Sequence, residues 1–310
     1  MDKTEVLNKR LAEYFSDRRE YIQDLPPYIE LRGENVRFEY PVNSSISPDI
    51  LENPIIDTSK KQKKRVERKL KKAFSVLYDV NERNIKILGR YRMMNGRTQP
   101  IKVNAILMGK IKRTCYVKQA DWNRFFGLEL YNMLSGNSPL DFVFGDSVFI
   151  DARAPGKLKH YIIQEETKSG KKEKLNENKR YVTNLIRLEV LADLLSLHDL
   201  AYPHNTNIDN SFNIHLFDFD HAFDSRIYKL YDDIPLVDKL PLVEIIRDEK
   251  NLITRRALKE RKRVRKLIDI MKEVDHKSET ARSMGKKFKN MGEYLEFMLN
   301  SYGDWENGES

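Results

Sequence analysis

The sequence contains very little cysteine and no long apolar run. Cys115 is the only cysteine among 310 residues, which excludes an intramolecular disulfide and leaves no further thiols for a zinc site. No stretch approaches the roughly 20 consecutive apolar residues that span a bilayer. The first residues are too charged for the apolar core of a secretory signal. We therefore expect a cytoplasmic protein.

Charge is what the sequence has in abundance. Charged residues make up 33% of the chain and hydrophobic residues 40%, which is typical of a globular protein with a substantial core. The net charge is +9, and the basic residues are concentrated in 60–72 and 255–266. Runs of this kind either form solvated helix faces or attract nucleic acid, anionic lipid or a phosphorylated substrate.

The hydrophobic pattern divides the chain into three segments and predicts an α+β fold. Residues 1–83 form an N-terminal extension that ends in an amphipathic basic helix over 58–79. Residues 84–166 form a small antiparallel β lobe with one helix, which begins after Asp121. Residues 167–310 form a larger, mainly helical lobe. The predicted strands are 84–93, 100–109, 113–119, 141–151 and 160–166.

A lysine and a glutamate are suitably placed to form an ion pair. Lys118 lies in the third predicted strand, and Glu129 lies in the following helix, eleven residues later. Glu129 shares a helix face with large apolar residues, where a charge without a partner would be costly. Lys118 is the nearest cation in sequence, and such a pair would hold the ammonium for contact with phosphate. The alternative is a glutamate at the edge of the stripe that reaches solvent.

A second polar cluster follows the long helix that ends near 197. Asp199 and Asn205 lie in a polar loop, and Asp218 and Asp220 follow the strand-like run 212–217. Acidic and amide side chains on neighbouring turns, separated by a short hairpin, can converge on one hard cation through oxygen ligands. One acid is then left for a substrate hydroxyl.

These residues resemble the protein-kinase-like superfamily, whose members carry a catalytic loop H-x-D-x-x-x-x-N and a metal-binding D-F-G. Asn205 precedes Asp218 by thirteen residues, which is the interval between the two metal ligands in that family. Lys118 stands where the family has its phosphate-binding lysine, and Glu129 stands where it has its helix glutamate. The resemblance covers about residues 84–224 and implies a bilobal kinase-like fold.

The resemblance also implies ATP and Mg²⁺ as cofactors and assigns a role to each matching position. Asp199 would be the catalytic base, with Lys118 and Glu129 completing the catalytic set. Asn205 and Asp218 would bind the metal, with Asp220 as a further ligand or a structural acid. The nucleotide would contact Lys118, Tyr116 as an adenine-stacking residue, Gln164, Glu165 and Glu166 at the hinge, and Gly96, Arg97 and Thr98 in the phosphate loop.

Within that superfamily, the segments HDLAYPHN and DFD look most similar to bacterial lipopolysaccharide kinases that act on Kdo and heptose, and to aminoglycoside and choline phosphotransferases. This likeness implies transfer of the γ-phosphate of ATP to a glycan or small-molecule hydroxyl. Three departures stand out. No G-x-G-x-x-G precedes Lys118, Asp199 lies six rather than five residues before Asn205, and Asp220 replaces the glycine of D-F-G.

Other functions compete with this one. A protein Ser/Thr kinase is the nearest alternative, although no A-P-E segment follows Asp218, which favours a small or glycan acceptor over a protein. The two basic runs would suit an enzyme held at the inner face of an anionic membrane. A third reading, from another class, is a pseudokinase or a non-catalytic nucleic-acid-binding protein that uses residues 60–72 and 255–266.

Overall fold

The computed structural model divides the chain into two compact units. The first comprises Met1–Glu30, Arg37–Asp121 and Asp141–Glu166, and the second comprises Leu31–Val36, Trp122–Leu140 and Thr167–Ser310. The residues described are 10, 13–14, 31–32, 35–36, 60–93, 101–119, 122–135, 142–145, 161–165, 174–197, 206–216, 230–273 and 288–305. Within them, no helix combines the length and the apolar composition needed to cross a bilayer.

Helices and antiparallel strands are both present, which confirms the predicted α+β class. The strands are β1 Leu31–Arg32, β2 Asn35–Val36, β3 Ile85–Met93, β4 Ile101–Leu107, β5 Ile111–Gln119, β6 Phe142–Gly145, β7 Tyr161–Glu165, β8 Thr206–Ile208 and β9 Ile214–Leu216. The α-helices are α1 Lys60–Leu77, α2 Trp122–Leu134, α3 Lys179–Leu195, α4 Leu242–Lys259, α5 Arg261–Glu273 and α6 Met291–Tyr302. Short 3₁₀ turns lie at Glu82–Asn84, Leu175–Glu177 and Pro235–Lys239.

The first unit is a five-stranded antiparallel sheet covered on one face by α1. Its strand order is β3-β4-β5-β7-β6. The stripe of α1 that meets the sheet carries Leu70, Phe74 and Leu77, all buried. Alternate residues of the strands are buried beneath this stripe, because successive side chains of a strand point to opposite faces. The core residues of the three long strands are Ile85, Ile87, Val103, Ala105, Leu107, Cys115 and Val117.

A tight turn fixes the register between β4 and β5. Met108 and Gly109 both have left-handed backbone angles, with φ of 49° and 73°, and glycine adopts that conformation at little steric cost. Leu107 is therefore the register partner of Ile111, and Lys102 is the partner of Tyr116 five residues further from the turn. On the side away from β4, β5 pairs with β7, which brings Tyr161–Glu165 beside this strand.

The second unit is built mainly from helices packed around α3. Ten residues of α3 are buried, so most of its circumference faces protein. Helix α4 packs on α3 and helix α5 packs on α6. Two tyrosine hydroxyls of α6 donate to carbonyls of α3, from Tyr294 to Asp193 and from Tyr302 to Val190, each at 2.8 Å. Helix α2 also belongs to this unit, although it follows β5 directly in the chain.

A short hairpin completes the second unit. Strands β8 and β9 pair antiparallel, with Thr206 opposite Leu216 and Ile208 opposite Ile214. Strand β9 is buried along its whole length and packs against α3. The strand-like run that the sequence indicated between the two polar loops is thus the second strand of a real hairpin.

Candidate functional site

Helix α2 places Glu129 in the interior of the second unit. Its residues from Phe125 to Leu130 are all buried, and the Glu129 side chain has no exposed surface. The alternative that this carboxylate reaches solvent is therefore excluded. Because a buried charge requires compensation, the nearby cations decide how Glu129 can be accommodated.

The cation described beside Glu129 is Arg263 of α5. Arg263 Nη2 lies 3.4 Å from Glu129 Oε2, and its Nη1 donates to Glu260 Oε2 at 3.1 Å. The guanidinium thus contacts one buried carboxylate and one partly exposed carboxylate. The predicted partner of Glu129 was Lys118. The side chain of Lys118 lies outside the described residues, so that pair stays a prediction.

In the first unit, four of the predicted nucleotide-binding residues lie on the adjacent strands β5 and β7. Tyr116 of β5 is opposite Gln164 of β7, and Lys118 is opposite Ile162. Glu165 is the register partner of Cys115, one residue before Tyr116. Residues that are about fifty positions apart in sequence are therefore neighbours on two adjacent strands. The side chains of Gln164 and Glu165 are outside the described residues, as is all of Glu166.

Tyr116 has a neighbour, Lys102, that was not among the predicted site residues. Lys102 Nζ lies 3.5 Å from the Tyr116 hydroxyl and 5.5 Å from the centroid of its ring. Both side chains are half-buried, on the strand positions that alternate with the core. The next cross-strand pair on this face is a hydrogen bond from Thr114 to Asn104 at 2.8 Å. This neighbour could have been predicted from the sequence. Lys102 and Tyr116 are each five residues from the Leu107–Ile111 pair that closes the Gly109 turn.

Asp209 organises the turn between β8 and β9. Its Oδ1 accepts from the backbone N–H groups of Ser211 at 2.7 Å and Asn213 at 2.9 Å. Its Oδ2 accepts from Asn213 Nδ2 at 2.9 Å and lies 3.3 Å from His215 Nε2. Burial alone would raise the pKa of Asp209, but these hydrogen bonds outweigh it and hold the pKa below its ordinary value. The carboxylate is thus the fixed centre of the hairpin turn.

Tyr131 connects helix α2 to this hairpin. Its hydroxyl donates to the Ile214 carbonyl at 3.3 Å and accepts from the Leu216 N–H at 3.4 Å. The ring is fully buried. Tyr131 lies two residues after Glu129, so one helix presents both the buried carboxylate and the hairpin anchor. No local sequence signal marks this role, because the two contacts span more than eighty residues.

The remaining predicted site residues lie outside the part of the chain that the structure describes. They are the base candidate Asp199, the metal-ligand candidates Asn205, Asp218 and Asp220, and the phosphate-loop candidates Gly96, Arg97 and Thr98. Among the described residues, no group of three or more His, Cys, Asp or Glu side chains is arranged to hold a metal ion. The predicted magnesium ligands lie outside these residues, so the magnesium site stays a prediction.

The comparisons with known proteins give no assignment. A scan against protein-family models finds no match to the chain, and a search of curated proteins finds no match either.

Proposed function

We propose that the protein is an ATP-dependent phosphotransferase with a bilobal kinase-like fold, which transfers the γ-phosphate of ATP to a hydroxyl of a glycan or another small acceptor. The observation that carries the proposal is the assembly of α2 with the β8–β9 hairpin. Helix α2 bears the buried Glu129, and Tyr131 of the same helix holds the hairpin through two hydrogen bonds.

The hairpin matters because the candidate metal ligands flank it. Asn205 directly precedes Thr206, and Asp218 follows Leu216 by two residues. Thr206 and Leu216 are register partners at the open end of the hairpin, and we infer that both ligands lie beyond that end. Amide and carboxylate oxygens are the ligand types that Mg²⁺ prefers. The donor set therefore fits a magnesium ion that neutralises charge on the phosphates.

The remaining roles are those that the resemblance to the protein-kinase-like superfamily implies. The Lys118 ammonium would contact the ATP phosphates, and Tyr116 would stack on the adenine, with Lys102 beside it as a further cation on that sheet face. Asp199 would accept the proton of the acceptor hydroxyl. The hydroxyl oxygen forms the new bond to the γ-phosphorus while the bond from that phosphorus to the bridging oxygen breaks, and ADP leaves.

The expected acceptor class follows from what the sequence lacks. No A-P-E segment follows Asp218 to support an extended peptide, and the segments HDLAYPHN and DFD are similar to those of kinases that act on inner-core sugars. A glycan or small-molecule hydroxyl is therefore favoured over a protein hydroxyl. The reaction belongs in the cytoplasm, where ATP is abundant, either in solution or at the inner face of the membrane.

The test is turnover of Mg-ATP by the full chain with a panel of acceptors that includes inner-core sugars, aminoglycosides, choline and a generic protein substrate. Asp218→Ala should abolish turnover, because it removes a metal ligand. Asp199→Asn should lower turnover at least a hundredfold with little change in ATP affinity, because its carboxylate acts on the acceptor. Asp232→Ala, at an exposed aspartate, is the matched control and should behave like wild type.

Each outcome decides a different part of the proposal. Full activity in Asp218→Ala would remove the metal assignment, and full activity in Asp199→Asn would remove the base. Transfer to the protein substrate alone would replace the acceptor class with the alternative of a protein Ser/Thr kinase. No ATP-dependent transfer by the wild type to any acceptor would count against the whole proposal.

A further inference from the structure

The two basic runs of the sequence have different surroundings in the structure. In the run 255–266, several cations make contacts inside the second unit. Arg256 Nη1 donates to the Leu134 carbonyl at 2.9 Å and pairs with the buried Glu249 at 3.2 Å. Arg263 pairs with Glu129, and the guanidinium of Arg265 lies 5.8 Å from the ring centroid of the buried Trp305. Three of the eight cations in this run therefore contact other parts of the second unit.

The other run forms α1, whose described cations all keep part or most of their surface exposed. The segment 60–77 contains nine Lys and Arg residues and one acid, Glu67. That acid is bonded within the helix, since Lys71 Nζ lies 3.0 Å from Glu67 Oε1. The apolar stripe of the helix is buried on the sheet, so the opposite side is held in a fixed orientation. The described cations opposite that stripe form a strongly cationic helix face.

Three exposed cations on that side form a row. Lys64, Arg68 and Lys72 follow one another at intervals of four residues, and all three are exposed. Side chains at this spacing lie on one side of a helix, with about 6 Å of axial rise between them. We call these three residues the basic ridge.

We propose that the basic ridge binds the phosphate backbone of double-stranded nucleic acid, independently of phosphotransfer. A duplex presents a line of anions, with one negative charge per about 1.7 Å of its axis. Lys and Arg bind phosphates without reading the bases, so a row of cations on one helix can follow such a line. Contacts of this kind position a protein on a duplex and give little sequence preference.

A membrane surface fits this face less well. Helices that lie in a bilayer interface bury an apolar face among the lipids, whereas the apolar stripe of α1 already packs on the sheet. Among the described residues, the exposed large apolar side chains are Met108, Val243 and Phe297, and all three lie outside α1. The ridge itself has no aromatic residue on which the bases of a single strand could stack.

The test is fluorescence anisotropy of labelled duplex DNA and duplex RNA with the full chain, measured over a range of salt concentrations. The ridge variant Lys64→Gln/Arg68→Gln/Lys72→Gln is compared with Arg247→Gln/Arg255→Gln/Lys259→Gln, which removes the same charge from exposed positions of α4. We expect the ridge variant to lose at least tenfold in affinity near 100 mM salt. The slope of log K against log salt should fall by about 2.7, because each phosphate contact contributes roughly 0.9.

Three results would overturn the inference. Equal weakening by both variants would show that net charge alone drives binding. Binding of the wild type to vesicles containing phosphatidylserine, without binding to either duplex, would identify the ridge as a membrane surface. A wild type that fails to bind either duplex at low salt would leave the ridge without this function. Circular dichroism and thermal unfolding of both variants confirm that a loss of binding is not a loss of fold.

Discussion

At the scale of single residues, the contact between Glu129 and Arg263 should be a principal determinant of stability in the second unit. Removing one member of a buried ion pair typically costs 3–5 kcal/mol, because the remaining charge stays in an apolar environment. We therefore expect Arg263→Met to lower the free energy of unfolding by about 3 kcal/mol. Adding Glu129→Leu should recover part of that loss. Urea unfolding of the single and double variants measures the coupling.

The control for this cycle is Arg247→Met. The Arg247 side chain is 67% exposed and lies 3.9 Å from Asp248, so its removal should change the stability by no more than about 0.5 kcal/mol. An Arg263→Met variant as stable as this control would contradict a role for the Arg263 contact in compensating the buried carboxylate.

Asp209 gives the β8–β9 hairpin a defined pH dependence. Its pKa is lowered in the folded protein, so the unfolded chain takes up the proton first as the pH falls from about 4. The stability it contributes is fully present above the unfolded pKa and is lost as the pH falls through the folded pKa. We expect Asp209→Asn to be less stable than wild type at pH 7, with the difference shrinking as the pH falls through and below the ordinary pKa of an aspartate. Urea unfolding across this range measures the difference, and a difference that does not change with pH would refute the prediction.

The residue scale also shows what a sequence can and cannot predict. The burial of Glu129 followed from its position on the apolar face of a helix. Its contact with Arg263 did not, because the two residues are 134 positions apart and only the packing of α5 brings them together. Lys102 is an intermediate case. Its pairing with Tyr116 depends on the register of β4 and β5, which the turn at Gly109 fixes and the sequence indicates.

At the scale of elements, the crossing of α5 and α6 depends on a glycine. A Cβ at position 292 would lie 2.7 Å from the Ile268 carbonyl oxygen and 2.7 Å from Lys272 Cγ. The lysine could move, but the helix backbone could not yield without separating the two helices. We expect Gly292→Ala to destabilise the protein by about 1–3 kcal/mol, although alanine is the better helix former. Thermal unfolding should show a lowered Tm.

Asn300→Ala is the matched control, because it places the same side chain at an exposed position of the same helix. It should leave the Tm unchanged or raise it slightly through helix propensity. A Gly292→Ala variant with an equal or higher Tm would mean that α5 and α6 can separate at little cost.

The sheet was the part of the fold that the sequence predicted best. Alternating apolar residues and the turns near Gly96 and Gly109 located the strands, and the bounds of β3, β4 and β5 agree to within two residues or so. Local patterns carried no information on the order of the outer strands. Nor did they show that α2 belongs with the helices of the second unit, because that grouping depends on long-range packing.

At the scale of the whole molecule, binding of Mg-ATP should raise the thermal stability of the protein. A ligand that binds only the folded chain stabilises it by about 2.7 kcal/mol at one hundred times its Kd. We expect Mg-ATP to raise the Tm of the wild type by several degrees, whereas ATP with EDTA should have much less effect. Asp218→Ala should show the smaller response in both conditions. A wild type that does not respond to millimolar Mg-ATP would argue against nucleotide binding altogether.

The whole-molecule prediction from sequence reached the α+β class but not its finer form. The order of strands followed by helices was indicated by a change in the period of the hydrophobic pattern near residue 167. The bilobal kinase-like arrangement and its catalytic residues stay predictions. The distribution of charge was likewise predicted only in part. The sequence showed two similarly basic runs. Only the contacts of Arg256 and Arg263 in the structure showed that one of the runs also contributes cations to the packing of the second unit.

The single cysteine allows opening of the first unit to be followed by thiol labelling. Cys115 is fully buried beneath α1, and its sulfur lies 3.1 Å from the Tyr78 hydroxyl at the end of that helix. A thiol reagent can therefore reach it only when α1 lifts from the sheet or the first unit opens. With no second thiol in the sequence, the labelling rate of the native protein reports that opening alone, without an introduced probe.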